Sequence, residues 1–152
     1  MAKGNEFCAL ILAAGKGTRM KSEMAKVLHL LEGRPLLHYS LAAAKSAGAE
    51  KIIVIAGHQY DRVKAAFPDP DLVFVEQNPQ LGTGHAVAQA KDALRDYGGL
   101  TVILCGDVPL LKQQTIRQLI SSHIENEAAL TVLTAEPPGP HSYGRVVKDI
   151  RG

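Results

Sequence analysis

The sequence predicts an α/β protein with a Rossmann-like, doubly wound and mostly parallel sheet. Short apolar runs alternate with longer segments whose apolar residues recur at helical spacing, which is typical of repeated β-α units. Several of the apolar runs are rich in Val, Ile and Leu without clean alternation, as in strands that are buried on both faces. The 152 residues suffice for one domain with a sizeable core.

The strands and helices follow each other in simple order along the chain. Strands are predicted at Phe7–Leu12, Lys51–Ala56, Leu72–Glu76, Leu100–Cys105 and Ala128–Thr134. Helices are predicted at Pro35–Ala47, Gln59–Phe67, Gly84–Asp96 and Lys112–Asn126. Pro35 suits a first helical turn, and Gly48 suits a C-terminal cap. After the Pro- and Gly-rich turn Glu136–Pro140, we expect one more strand at Tyr143–Ile150.

The composition argues against several classes of partner. A net charge of +2 is too small to indicate a nucleic acid or a membrane surface. An anionic ligand must therefore be held by locally placed cations and backbone N–H groups. The two cysteines, Cys8 and Cys105, are far apart and form neither a zinc pattern nor a disulfide framework, so we expect a cytoplasmic protein.

Polar or glycine-rich segments follow four predicted strands at their carboxyl ends. These segments begin at Ala13, Gly57, Gln77 and Cys105. In an open parallel sheet, ligands bind outside the carboxyl ends of the strands. The sequence therefore predicts a ligand site at this edge of the sheet.

The first of these segments, Gly15–Arg19, is a glycine-rich turn that carries two cations. Glycines allow backbone N–H groups to approach phosphate oxygens, and the cations could neutralise a triphosphate. A tight turn with solvated charges is the alternative. The segment is not a P-loop, and Met20 occupies the position of the third glycine of a dinucleotide-binding fingerprint.

Five further candidate residues precede the strand end at Cys105. Lys26 could contact phosphate as a point charge or could be a surface lysine. Gln77 can read the edge of a base with its amide donor and acceptor. Gly82 and Thr83 can offer N–H groups to a ligand, although Thr83 could simply be a helix N-cap. His85, in the first helical turn, is favoured as a partner for backbone groups.

The predicted strand that ends at Cys105 leads to a candidate metal ligand. Asp107 is one carboxylate at a strand end, which suits Mg²⁺ held jointly with phosphate oxygens and water. An Asx-turn is the alternative for Asp107. Cys105 is predicted to be a buried strand-end thiol rather than a nucleophile, because the sequence positions no base beside it.

The motifs together resemble the sugar-1-phosphate nucleotidyltransferases, and most closely the bacterial N-acetylglucosamine-1-phosphate uridylyltransferases. The resemblance runs from Phe7 to the end of the chain and is carried by Leu12–Met20, Lys26–His29, Gln80–Ala86, Gly106–Leu110 and Tyr143–Arg145. It implies the nucleotide-diphospho-sugar transferase fold, which is glycosyltransferase-A-like. It also implies transfer of UMP from UTP to N-acetylglucosamine 1-phosphate with Mg²⁺, a step in peptidoglycan precursor synthesis.

The resemblance also assigns roles to residues. Leu12, Ala13, Ala14, Gly15 and Gln77 would hold the uridine, and Gly82 and Thr83 would continue that pocket. Arg19 and Lys26 would be catalytic contacts to the phosphates. Cys105, Gly106 and Asp107 would border the substrates, with Asp107 as the metal ligand, and Gly144 would approach the N-acetyl group. Cys105 departs from the family pattern, in which Tyr or Ser is expected.

The family pattern continues beyond residue 152 with further sugar-binding residues, a second magnesium ligand and a β-helical acetyltransferase domain. We therefore expect residues 1–152 to be the nucleotide-binding portion of the domain, incomplete at its C-terminus and inactive alone. A homo-oligomer of the full-length protein stays open. The alternatives are a nucleotide-binding fragment without turnover, a nicotinamide-dependent oxidoreductase, and another sugar-1-phosphate or molybdopterin-type nucleotidyltransferase.

Overall fold

The computed structural model describes residues 6–139 and 144–147. Its strands are β1 (Phe7–Ala13), β2 (Leu30–Leu31), β3 (Arg34–Pro35), β4 (Ala49–Ala56), β5 (Leu72–Glu76) and β6 (Leu100–Cys105). Its helices are α1 (Leu36–Ala47), α2 (Tyr60–Ala66), α3 (Thr83–Gln89) and α4 (Gln113–Glu125). Two short 3-10 turns, Thr18–Met20 and Lys26–Leu28, lie between β1 and β2.

Four strands form one parallel sheet in the order β5-β4-β1-β6. Strands β2 and β3 form a small separate hairpin. The chain first builds outward from β1 through β4 to β5, and then returns to place β6 on the other side of β1. The strand order therefore reverses between β1 and β6, which is where open α/β sheets bind ligands.

Both faces of the two central strands are buried. Phe7, Ala9 and Ile11 of β1 join a cluster that includes residues of α1 and α4. Cys8 and Leu10 face the opposite side and pack in a second cluster with Ala86 of α3. Helices thus cover the sheet from both sides, and the predicted doubly wound α/β fold is confirmed.

Helix α1 ends as the sequence predicts. Gly48 adopts the left-handed conformation with φ 96°, and its N–H donates to Lys45 O at 3.0 Å. Glycine adopts this conformation without a Cβ penalty, so the chain can leave α1 and enter β4 directly. Pro35 lies at the N-cap, one residue before the helix begins.

The predicted strand at Ala128–Thr134 is wrong, because this segment has no regular secondary structure. Leu130 and Val132 are 77% and 64% exposed. The segment and β6 line a common cavity of about 740 Å³, and no strand pairs with β6 on the side away from β1 in the described sheet. The predicted last strand lies partly outside the described residues, and its described part, 144–147, is not a strand.

Two other predictions need correction. The predicted helix Gly84–Asp96 is shorter, because after Gln89 the chain continues in turns with i→i−3 bonds such as Arg95 N–H to Asp92 O. Strand β6 is not buried on both faces: Val102 and Leu104 are buried, whereas the residues that alternate with them are exposed. This alternation follows from the edge position of β6 in the described sheet. Within the described ranges, no helix combines the length and apolarity that a bilayer crossing needs.

Candidate nucleotide-binding site

The first loop at the carboxyl edge of the sheet contacts Lys26 through a glycine. Gly17 has φ 65° and ψ 38°, which is the left-handed region. A Cβ added at Gly17 would lie 2.8 Å from Lys26 Cβ. Glycine is therefore required here twice, by the backbone conformation and by the close approach. The loop that follows β1 thus packs directly on the stem of the Lys26 side chain.

Lys26 forms an ion pair with Asp107, although 81 residues separate them in the sequence. The Lys26 side chain is 35% exposed and that of Asp107 is 29% exposed. A ligand entering between β1 and β6 can therefore reach both groups. Two of the predicted site residues thus meet at the point where the strand order reverses.

Gly106 brings Asp107 to the end of β1. The Gly106 N–H donates to Leu12 O at 2.9 Å, which continues the β1–β6 pairing past the last residue of β6. A Cβ at Gly106 would lie 3.0 Å from Leu12 O and 3.3 Å from Leu37 Cδ1. A larger residue would push this connection away from β1. The main chain of Gly106 therefore fixes the position of the Asp107 backbone, from which the carboxylate side chain extends.

Gln77 is a buried polar side chain with a defined orientation. Its side chain Nε2 donates to Gly82 O at 2.9 Å and lies 3.1 Å from His85 Nδ1. Its backbone N–H donates to Ala56 O at 2.8 Å. Both amide hydrogens are therefore used, and Oε1 has no protein donor among the residues that the structure describes. Gln77 consequently offers a free acceptor.

His85 helps to fix the orientation of the Gln77 amide, and its contacts are not limited to backbone groups. Because Nδ1 faces the Gln77 amide nitrogen, the accepting tautomer carries its proton on Nε2. His85 Nε2 in turn lies 3.1 Å from the terminal amide group of Gln89, one turn further along α3. Because Nε2 carries the proton, it bonds to Gln89 only when that amide presents its oxygen, since two N–H donors cannot bond each other. The sequence interpretation of His85 missed this side-chain network, because it depends on the turn from β5 into α3.

An open cavity of about 660 Å³ lies beside Gln77. Its lining also includes Lys16 of the first loop and the Gly57–Gln59 segment that follows β4. Gly57 is tightly enclosed, since a Cβ there would lie 2.6 Å from Gln80 Nε2 and 3.1 Å from Ala14 Cβ. The segments that follow β1, β4 and β5 therefore converge on one cavity, with a cation and an amide acceptor at its wall.

The remaining predicted site residues are placed as follows. Leu12 is half-buried, Ala13 and Ala14 are buried at the end of β1, and Gly15 is exposed beyond them. Gly82, not Thr83, is the N-cap of α3, and Thr83 is its first residue. Arg19 belongs to the turn Thr18–Met20, but its side chain lies outside the described atoms. Gly144 is exposed, and none of the described contacts joins it to the strand ends.

The buried thiol predicted at Cys105 is wrong, because Cys105 is exposed at the uncovered face of the edge strand. Partial desolvation, followed by the Asp107 carboxylate, nevertheless raises the pKa of the Cys105 thiol, and Lys26 opposes this effect. A thiol with a raised pKa stays protonated near neutral pH and is a poor nucleophile. That Cys105 is not a nucleophile stays a prediction.

The sequence interpretation missed Gln59. Its Oε1 accepts a hydrogen bond from the Ala25 N–H at 3.0 Å, and the neighbouring His58 Nε2 donates to Glu23 O at 2.9 Å. One signal was available, because Gln59 lies shortly after the predicted strand Lys51–Ala56, at the start of the predicted helix Gln59–Phe67. The partner loop, however, is 34 residues away in the chain, and only the fold brings it there.

Asp107 is the one predicted metal ligand in this region. No cluster of three or more His, Cys, Asp or Glu side chains suited to a metal occurs in the described part of the chain. A partly exposed single carboxylate fits Mg²⁺, which is commonly held by one or two carboxylates together with substrate phosphates and water. The residues present are thus compatible with a metal that arrives with a nucleotide.

Comparison with known proteins places this chain in a family. The family model described as "MobA-like NTP transferase domain" matches residues 9–147. The Bifunctional protein GlmU of Trichlorobacter lovleyi is 52% identical over 145 residues, which are 95% of this chain and 32% of that protein. The Bifunctional protein GlmU of Koribacter versatilis is 48% identical over 153 residues, covering 100% of this chain and 32% of that protein.

Solved structures agree with the fold. A nucleotidyl transferase from Methanothermobacter thermautotroptrophicus superposes with a TM-score of 0.64 at 27% identity, over 78% of this chain and 58% of that one. The 4-diphosphocytidyl-2C-methyl-D-erythritolsynthase of Anaerococcus prevotii gives a TM-score of 0.66 at 18% identity, over 81% and 53% of the two chains. The second likeness concerns the fold alone.

The match to the family model begins at the third residue of β1 and covers all the other strands and all four helices. The chain spans about a third of the length of the curated relatives it matches. The predicted resemblance and the predicted nucleotidyltransferase fold are confirmed at this level. With its strand-end loops, its Lys26–Asp107 pair and its buried Gln77, the chain belongs to the family of MobA-like NTP transferase domains.

Proposed function

We propose that this chain binds the nucleotide in a transfer of UMP from UTP to N-acetylglucosamine 1-phosphate, which yields UDP-N-acetylglucosamine and pyrophosphate. The single observation that carries the proposal is the convergence of the Lys26–Asp107 pair and the Gln77 cavity at the carboxyl edge of one parallel sheet. The similarity to relatives named GlmU supports it. The product is a cell-envelope precursor, and we place the reaction in the cytoplasm.

The reaction needs alignment and charge neutralisation more than covalent chemistry. A phosphate oxygen of the sugar 1-phosphate attacks the α-phosphorus of UTP, a new P–O bond forms, and the bond to the bridging oxygen breaks as pyrophosphate leaves. In such transfers the protein contributes mainly positioning and electrostatic stabilisation. Lys26 and the cations of the Gly15–Arg19 loop supply the positive charge in this proposal.

Asp107 would hold Mg²⁺, which when bound would neutralise phosphate charge. In the structure Lys26 pairs with Asp107. If Asp107 engages a metal, the Lys26 ammonium is released from its carboxylate partner and can contact a phosphate oxygen. The pair therefore keeps the two opposite charges compensated.

Gln77 would read the base. Because Gly82 O and His85 engage its Nε2, the free Oε1 can accept a hydrogen bond from a ring N–H. Uracil has such a donor at N3. A cavity wall that offers an acceptor at this position favours a base that offers a donor, because an unpaired buried acceptor costs free energy.

A calorimetric titration with matched nucleotides tests the base contact. We expect UTP to bind more tightly than N3-methyl-UTP, which lacks the N3 donor, and more tightly than CTP or ATP, whose bases carry no N–H at that ring position. Gln77→Ala should weaken UTP by about 1–3 kcal/mol, because partners in a buried network lose their bonds. It should also remove the difference between UTP and N3-methyl-UTP. If Gln77→Ala weakens ATP and UTP equally, Gln77 does not read the base.

We further propose that residues 1–152 alone bind nucleotide without completing the reaction. Asp107 is the metal ligand that the resemblance implies at the strand ends, and Gly144 has no described contact with the site. A site that binds the ground state without aligning the attacking phosphate gains little rate, since misalignment by about 1 Å can cost on the order of a hundredfold.

A pyrophosphate-release assay tests this second proposal. It compares the 152-residue chain with a chimera that is extended by the following residues of one of the curated relatives. Both should bind UTP, and only the chimera should turn over UTP and N-acetylglucosamine 1-phosphate. Comparable rates would refute the proposal. Turnover with another sugar 1-phosphate or with a molybdopterin substrate would support the corresponding alternative nucleotidyltransferase.

A further inference from the structure

We propose that Gln59 is a positioning residue, which fixes the backbone just before Lys26 and so presents the Lys26 ammonium to a nucleotide phosphate. The inference rests on the proposed function, in which Lys26 contacts phosphate. Gln59 would act through the Ala25 N–H and not by touching the nucleotide. This role concerns a residue at the start of α2, outside the motifs that the sequence analysis singled out.

The hydrogen bond lies at the correct place for this role. Ala25 is completely buried, and its N–H donates to Gln59 Oε1 at 3.0 Å. The Ala25 carbonyl accepts the Leu28 N–H at 2.9 Å, which closes the short turn that contains Lys26. Ala25 is therefore held at both ends of its main chain, one residue before Lys26. Without Gln59, its buried N–H would have no protein partner among the described residues.

The neighbouring residue adds a second tether to the same loop. His58 Nε2 donates to Glu23 O at 2.9 Å. Two consecutive side chains that follow β4 thus bond two backbone groups of the loop that precedes Lys26. The contact joins loops from two neighbouring strands of the sheet. It resists movement of the Lys26 loop away from the sheet edge.

The backbone of Gln59 indicates that its side chain is used. Gln59 adopts the left-handed conformation with φ 56° and ψ 42°, which disfavours every residue with a Cβ relative to glycine. At this position glycine would be less strained, and it would also serve at the helix N-cap. A glutamine here carries a conformational cost, and its side chain makes the bond that compensates for that cost.

Gln59 also borders the 660 Å³ cavity beside Gln77, so direct contact with a nucleotide is the competing explanation. The two explanations differ in what a second substitution does. Ala25 has φ −52°, which a proline ring can adopt. Ala25→Pro removes the N–H donor and restricts the same backbone by its ring. If Gln59 acts through Ala25, it becomes dispensable once residue 25 is restricted in this way.

The first experiment measures stability and UTP affinity of Gln59→Gly by urea denaturation and calorimetry. Gln59→Gly relieves the left-handed backbone and deletes the acceptor. We expect an unchanged or higher urea midpoint together with a UTP dissociation constant raised about three- to tenfold, the worth of one hydrogen bond. A merely structural role would lower the midpoint and leave the affinity unchanged, which would overturn the proposal. Asn126→Ala, which deletes a side-chain bond at the far end of α4, is the control and should leave the affinity unchanged.

The second experiment completes the double-mutant cycle. In the Ala25→Pro background, Gln59→Gly should change the UTP dissociation constant by less than about twofold. An equal loss in both backgrounds would show that Gln59 touches the nucleotide and would overturn the proposal.

The third experiment does not depend on nucleotide binding or on the folding of the proline variant. Amide hydrogen exchange at Ala25 should be at least about tenfold faster in Gln59→Gly than in the unchanged chain. Equal protection of the Ala25 amide would overturn the positioning role. If the unchanged chain fails to bind UTP while Ala25 loses protection in the variant, the proposed function fails and the loop-positioning contact stands.

Discussion

Gly17→Ala is the substitution that tests most directly whether the first loop positions Lys26. Gly17 has φ 65°, and its missing Cβ would lie 2.8 Å from Lys26 Cβ and 3.3 Å from Lys26 Cγ. The left-handed backbone costs an alanine about 1–2 kcal/mol. The crowding adds about 1–3 kcal/mol, because carbons approach comfortably only at about 3.5–4.0 Å. We therefore expect a loss of about 2–5 kcal/mol of unfolding free energy.

The hairpin between β2 and β3 offers a matched control. Gly33 has φ 76°, and a Cβ there would meet no atom within 4 Å. Gly33→Ala should therefore carry the backbone penalty alone, about 1–2 kcal/mol. The difference between the two variants isolates the contact with Lys26.

Urea denaturation followed by circular dichroism gives both free energies, and calorimetry gives the UTP dissociation constants. We expect Gly17→Ala to weaken UTP binding, because the displaced Lys26 stem moves the ammonium away from its present place beside Asp107. Gly33→Ala should leave binding unchanged. Equal loss of stability in the two variants, with UTP binding intact in both, would refute the packing argument.

Three further perturbations have defined outcomes. Asp107→Asn should abolish the gain in UTP affinity that Mg²⁺ provides. It should leave metal-free UTP binding as strong or stronger, because Lys26 loses its competing carboxylate. Calorimetry with and without Mg²⁺ measures both effects, and a retained Mg²⁺ effect would contradict the prediction. Leu37→Ala should cost about 2–5 kcal/mol of unfolding free energy, because Leu37 is fully buried beneath Gly106; a cost under about 1 kcal/mol in urea titrations would contradict that packing. The hydrogen bond from Lys45, and after it the one from the Asp71 N–H, lowers the pKa of Asp69. The ionised Asp69 carboxylate therefore stabilises the fold above the ordinary carboxyl pKa, and this stabilisation is lost as pH falls through the lowered pKa. Asp69→Asn should flatten the decline of the urea midpoint between about pH 5 and pH 2, and an unchanged decline would contradict the assignment.

The sequence was sufficient for the elements whose burial depends on local pattern alone. The runs Phe7–Ala13 of β1 and Ile52–Ala56 of β4 are apolar throughout, because these parts of both strands lie between helices on two faces. The strand-end loops could also be predicted, since parallel strands bring their carboxyl ends to one edge regardless of detail. Gln77 was predicted for its amide, although its fixed orientation depends on a turn that the sequence does not reveal.

The wrong and missed predictions concern residues whose environment depends on segments that are distant in the sequence. Ala128–Thr134 has the apolar content of a strand but lines a cavity with β6 without pairing with it, and a strand requires a hydrogen-bonded neighbour. Cys105 is in an apolar run, yet its exposure depends on β6 being an edge strand in the described sheet. Gln59 carries no local sign of its bond to Ala25, because the two loops meet only after β1 and β4 have paired.

The parallel pairing of β1 with β6 has a consequence for folding kinetics. Phe7 pairs with Leu100, and the Lys26–Asp107 contact beyond these strands joins residues 81 positions apart. The conformational entropy lost in closing such a long loop must be overcome before the contacts between the two strands can stabilise it, so pairings of this kind form slowly. Lys26 and Asp107 cannot meet until β6 has joined the sheet. A nucleotide that depends on both groups therefore binds only after the sheet has closed, and a fluorescent UTP analogue added during refolding should report that closure in real time.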